Sequence, residues 1–253
     1  MKSFIALLCT FLFGNALAFA APNLYNLPVA PGVDVPVTHY SARGQTLILW
    51  LPSEFGLVQT QHAAAEKLAQ RGYNVWLADL FSARFLPVAP SSLDAIPGTD
   101  VAGLIQAAAK KYRKIILVSS GRGAAISLGG AQQWQAQHKG RRIAGAVLLF
   151  PNLLTSSPEA GEEPAYLPIA SQTRLPISIL QGDLSPWFWQ LDVLRQQLEQ
   201  GGSRVVITHL PGMRDRFYFR DDALPREREL GDRLDVLIDE AIKHLPALKR
   251  KSP

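Results

Sequence analysis

Between residues 45 and 245 the chain alternates short, almost wholly apolar runs with segments of helical spacing, and this alternation decides the fold. Each apolar run is too short for a helix and too uniformly apolar for a half-exposed strand, so it reads as a strand buried on both faces. Strand-like runs fall at 45–52 (QTLILWLP), 74–80 (NVWLADL), 114–120 (KIILVSS), 143–151 (IAGAVLLFP), 177–183 (ISILQGD) and 204–212 (RVVITHLPG). Helical patterns fall between or after them at 61–73, 99–112, 124–137, 188–202 and 229–245, with Thr99 placed to cap the second. The expected fold class is therefore α/β: a doubly wound, mostly parallel sheet with helices on both faces. Pro- and Ser-rich stretches at 87–97 and 156–172 follow strand ends, where they can roof a site at the carboxyl edge.

Residues 1–20, MKSFIALLCTFLFGNALAFA, stand apart from this pattern. One positive charge (Lys2), an apolar stretch from Phe4 to Phe13 and A-x-A sites ending at Ala18 and Ala20 are expected of a cleaved secretory signal peptide. The stretch is too short to span a bilayer. The expected organisation is thus a leader over 1–20 and one domain over 21–253, placed in the periplasm or secreted. The only cysteine, Cys9, lies in the leader, so the rest must be held by its core without disulfides. No later run reaches transmembrane length. The formal net charge of +5 is mild and spread out, and nothing in it points to nucleic acid.

The stretch ILVSSGRGAAISLGG, from Ile116, carries the chemistry. An apolar strand stops at the serines, a glycine-bracketed turn follows, and a small-residue helix begins. Ser119-Ser120-Gly121-Arg122-Gly123 resembles the nucleophile elbow of the α/β-hydrolase family, small-x-nucleophile-x-small between strand and helix. LPISILQGDLSPW and VVITHLPGMRDRF resemble the segments that carry that family's acid and histidine. The resemblance implies an α/β-hydrolase-like fold over almost the whole chain after the leader. It puts Gly121 at the nucleophile position, Ser185 at the acid, and Asp215 at the histidine, with Arg214 there if the loop is one residue shorter. Asn152 stands where some members carry the acid instead. On this alignment no triad member is present, and since a triad works as a unit, the resemblance implies a pseudo-hydrolase.

The remaining residues suggest binding rather than turnover. The helix start would offer amides to an anion, and convergence of Arg122 with Arg214 and Arg216 would hold a carboxylate or phosphate. Ser120, Arg122, Gly123 and Arg214 are accordingly the candidate ligand contacts, although Arg122 can equally pair with Asp215 and close the cleft. His209, inside an apolar run, reads as a satisfied core histidine, and Asp183 and Asp79 as turn-forming carboxylates. In SPWFWQL, three adjacent rings (Trp187, Phe188 and Trp189) cannot all face inward, so at least one is expected at the surface. No metal-ligand spacing or cofactor motif is present. The expected function is non-catalytic binding of a small, anionic or acyl ligand, or of a protein partner in the cell envelope. An active serine-type esterase using other residues, and a structural scaffold of an envelope complex, are the alternatives.

Overall fold

The computed structural model describes residues 21–138, 141–159 and 161–246; the leader expected over 1–20 lies outside them. Eight strands form one sheet in the order β1-β2-β4-β3-β5-β6-β7-β8. They are β1 (Asn23–Ala30), β2 (Val33–Tyr40), β3 (Thr46–Trp50), β4 (Asn74–Ala78), β5 (Lys114–Ser120), β6 (Ile143–Leu149), β7 (Pro176–Gly182) and β8 (Arg204–Leu210). From β4 through β8 every neighbouring pair is parallel, whereas β1 and β2 form an antiparallel hairpin that adds to β4. The parallel strands match the runs predicted from sequence; the hairpin was not anticipated.

Alternating residues of the central strands feed two separate cores. Leu47, Leu49, Ile115, Leu117, Ala146 and Leu148 face one layer, while Ile48, Trp50, Ile116, Val118, Val147 and Leu149 face the other. Period-two alternation with apolar residues on both faces is what a sheet sandwiched between helices requires. The helices are α1 (Gln59–Gln70), α2 (Leu80–Ala83), α3 (Pro90–Asp94), α4 (Gly98–Lys111), α5 (Gly123–Gln137), α6 (Leu191–Gln200), α7 (Pro225–Gly231) and α8 (Leu234–Lys243). Helices α4, α5 and α6 cover the first face through Val101, Leu104, Leu128, Trp134, Leu194 and Leu198. Helices α1 and α8 cover the second through Ala65, Leu68, Leu234 and Ile238.

Some expected boundaries move. Helix α4 starts at Gly98 after an extended Pro97, so Thr99 lies inside it and caps nothing. The single final helix expected over 229–245 is two helices, α7 and α8, broken at Asp232 and Arg233. The segment at 87–97 contains α3, and Phe188–Gln190 makes a 3-10 turn before α6. His209 is not in the core: β8 is the sheet's edge strand, and the side chain is exposed beside the Phe188 ring at 5.6 Å.

The sheet's stability rests on β5, the strand that delivers the turn at Gly121. Leu117 is fully buried at its centre. Leu117→Ala is expected to cost about 2–5 kcal/mol of unfolding free energy, measurable as a shift in the urea midpoint with an unchanged slope.

Candidate functional site

Strand β5 ends at Ser120 and α5 begins at Gly123, so only Gly121 and Arg122 make the turn. Gly121 has φ +54°, and its N–H donates to the Leu149 carbonyl on β6 at 3.1 Å. Its own carbonyl accepts the Asn152 N–H at 3.0 Å. The turn is thereby fixed to the loop after β6, and Asn152 uses its side chain to accept the Leu154 N–H at 3.1 Å.

A side chain at position 121 would meet a carboxylate. A Cβ built on Gly121 lies 2.5 Å from Glu54 Oε2 and 2.7 Å from Oε1, closer than real contacts allow. Glu54 sits in the loop after β3, and its Oε2 accepts the Arg122 N–H at 2.9 Å. The first turn of α5 therefore already holds an anion, supplied by the protein itself. Glu54 escaped sequence reasoning. The available signal was a lone charged residue just beyond a fully apolar parallel strand, the location where such sheets place their sites.

Glu54 and Gly121 belong to a cleft also lined by Phe55, Ser120, Trp187, Asp215, Arg216, Tyr218 and Phe219, with about 20 Å³ of free space. That is room for a single water. Ser120 is buried and its Oγ accepts the Tyr218 hydroxyl at 3.0 Å. Burial holds the Tyr218 phenol far above its ordinary value. Burial also raises the Asp215 carboxyl, and the nearby Glu54 charge pushes the same way, against the attraction of Arg216. Among the described residues, three that are not glycine have positive φ, and two of them, Phe150 (47°) and Arg216 (59°), line this cleft. Such backbone strain gathers at functional sites.

The expected cluster of arginines is not brought together. Arg122 turns away from the cleft and reaches both oxygens of Asp94 at 2.8 and 2.9 Å, so it does not pair with Asp215. Arg214 is bound by Glu227 at 2.5 and 2.8 Å and by Asp222 at 3.0 Å, and it does not line the cleft. Arg216 alone stays, with its Nε 3.6 Å from Asp215 and its guanidinium 4.7 Å from the Phe55 ring centroid. Ser185 is buried, and its Oγ accepts the Trp187 N–H at 3.3 Å without lining the cleft. Gly123 packs against the Pro52 carbonyl. Asp183 accepts the Gly212 N–H at 2.7 Å and Asp79 caps α2 through Ser82, both turn roles as expected. Of the three rings in SPWFWQL, Trp187 lines the cleft, Phe188 packs inward, and Trp189 is 85% exposed.

Among the described residues, no cluster of three or more His, Cys, Asp or Glu is arranged to hold a metal ion. No helix among them is long and apolar enough to cross a membrane.

The fold is shared with solved structures of hydrolases. Matching structures include an esterase from Pyrobaculum calidifontis (TM-score 0.64, 16% identity, covering 87% of this chain and 86% of that one). Another is a carboxyl esterase from the fungus Tuber melanosporum (0.64, 13% identity, 92% and 89%). A third is a protein assigned as a dienelactone hydrolase from Klebsiella pneumoniae (0.63, 16% identity, 89% and 100%). At such low identity the likeness establishes the α/β-hydrolase fold. No protein-family model and no curated protein sequence matches the chain.

The Arg214–Glu227 contact carries a pH signature. Hydrogen bonds from Arg214 hold the fully buried Glu227 carboxyl at about 2, against an ordinary 4.5. A depressed carboxyl contributes stability above its unfolded value and loses it as pH falls toward the folded one. Stability should therefore fall between about pH 5 and pH 2, and Glu227→Gln, less stable at pH 7, should flatten that slope in denaturant titrations.

Proposed function

We propose that this is a non-hydrolytic α/β-hydrolase-fold protein whose cleft binds a ligand and does not cleave one. The observation that carries this reading is Glu54: its carboxylate fills the space a nucleophile on residue 121 would need and takes the Arg122 amide. In an elbow of this kind that amide stabilises the oxyanion of acyl transfer. A carboxylate bound there withdraws the donor and repels the negative charge that would form. Acyl transfer also needs an activated nucleophile. Two serines line the cleft: Ser53 Oγ accepts the Phe55 N–H, and Ser120 is paired with Tyr218, a buried phenol with a strongly raised pKa that stays protonated at neutral pH and is no base. On this reading Gly121, Ser185 and Asp215, the positions that the resemblance assigns to the triad, perform none of its steps. With the leader expected over 1–20, the protein would act in the periplasm or outside the cell, and 21–253 would be one domain.

A protein partner is a second reading with its own support. Several large apolar side chains are exposed in the segments that connect strands to the next long helices, among them Phe55, Phe85, Val88, Leu184, Trp189 and Leu224. Phe85 and Trp189 are 97% and 85% exposed. Phe55 lines the cleft, and exposed rings of this size suit a contact face.

The esterase alternative is tested directly. Purified protein exposed to a fluorophosphonate probe and a panel of acyl esters should show neither labelling nor turnover above buffer. Gly121→Ser should remain inactive: its Cβ must push the Glu54 carboxylate aside, and no histidine lines the cleft to activate the new hydroxyl. Labelling of the wild-type protein with ester turnover would overturn the proposal.

A further inference from the structure

The cleft's walls differ from what the sequence led one to expect. Anion-binding arginines were expected there, yet the charged side chains that line it are Glu54, Asp215 and Arg216. Arg122 and Arg214, the other two candidates, are bound to acids outside it. Two carboxylates close enough to influence one another face a space walled by Phe55, Trp187, Tyr218 and Phe219. Phe55 and Phe219 lie with ring centroids 5.6 Å apart, and Phe219 and Tyr218 with centroids 4.9 Å apart.

Aromatic faces carry negative potential, and rings combined with carboxylates are the surroundings in which organic cations bind. The protein demonstrates this at the same spot. Arg216 lays its guanidinium over the Phe55 ring at 4.7 Å and approaches Asp215 at 3.6 Å. It acts as a resident cation. Its grip is weak, since the side chain is 42% exposed and the contact with Asp215 is longer than a hydrogen bond. A ligand cation that takes its place would gain the same ring and carboxylate and would open the narrow space beside Glu54. An anionic ligand would instead meet Glu54 and Asp215 at close range, an arrangement that rejects like charge.

We propose that the cleft is a receptor for an organic cation, an alkylammonium or alkylguanidinium head, seated between Glu54 and Asp215 against Phe55 and displacing Arg216. This rests on the non-hydrolytic reading of the same cleft and names its ligand class. The cation can be a free amine or a Lys or Arg side chain of a partner; the chemistry at the cleft is shared.

The test uses the full-length protein with butylammonium, butylguanidinium, butyrate and the tripeptide Ala-Lys-Ala, followed by calorimetry and by saturation transfer from protein to ligand protons. Saturable binding of the cations and none of butyrate is expected. Glu54→Gln and Asp215→Asn should each weaken it at least tenfold, and Arg216→Ala should tighten it several-fold by removing the competitor. Phe55→Leu, at a half-exposed position, should weaken it several-fold even if a carboxylate variant fails to fold. Tighter binding of the tripeptide than of butylammonium assigns the site to a partner's side chain and equal binding assigns it to free amines; both uphold the receptor. Failure of both wild type and Arg216→Ala to bind any cation would overturn the proposal. So would binding that is indifferent to the carboxylates, or a preference for butyrate. Turnover of butyl esters alongside carboxylate-dependent cation binding would sink only the non-hydrolytic reading, whereas butyrate binding without turnover would sink only this one.

Discussion

The bond from the Arg122 amide to the Glu54 carboxylate organises everything around the elbow. A strand-to-helix turn this tight leaves the first amides of α5 without partners inside the helix. Water, a ligand or a side chain must satisfy them. Here the loop after β3 supplies the carboxylate, 2.9 Å from the amide. That choice favours glycine at 121, because a Cβ there would have to push the Glu54 carboxylate aside. Glycine is also the residue best suited to the turn's φ of +54°. The contact and the turn's φ thus both favour glycine, and the contact brings a negative charge to the cleft.

The surrounding architecture holds that contact in place. Strands β3 and β5 are hydrogen-bonded neighbours in the middle of the sheet, and each carries buried apolar residues on both faces. Their carboxyl ends therefore cannot drift apart without breaking the core. The loop after β8 closes the cleft from the far side through Asp215, Arg216, Tyr218 and Phe219. Its base is held by Arg214, which is bound to Glu227 and Asp222. The arginine expected to recognise a ligand instead fixes the loop that lines the ligand's space.

How much of this was legible in the sequence follows from the range of the interactions. The parallel strands, the elbow and its glycine were readable because each is a local pattern of a few residues. The β1–β2 hairpin was not, for Pro28 and Pro36 interrupt its runs, and proline within a run argues against a strand. Both are tolerated: β1 is the sheet edge, and the ladder between β2 and β4 begins only at Val37. His209 misled because its apolar neighbours suit a buried strand, whereas β8 lies at the opposite edge. Ion-pair partners were the least legible. Arg122 finds Asp94 and Glu54 finds the Arg122 amide across long stretches of chain, and residue type alone cannot select among the many acids available.

The carboxylate in the elbow also bears on how a hydrolase-like frame could serve the proposed receptor role. The fold brings a helix start and several loops to one point, which serves acyl transfer when the amides are free to meet a developing negative charge. Once an internal carboxylate takes the amide, the same convergence produces the opposite field. The helix end is met by Glu54, and the other negative charge at the cleft is Asp215, with Arg216 beside it. Burial of Asp215 sharpens this, since a carboxyl with a raised pKa gains more from a nearby cation than one already well solvated. Arg216 answers that demand from within the chain. Arg216 has a φ of +59°, and its side chain lies over Phe55 beside the acid.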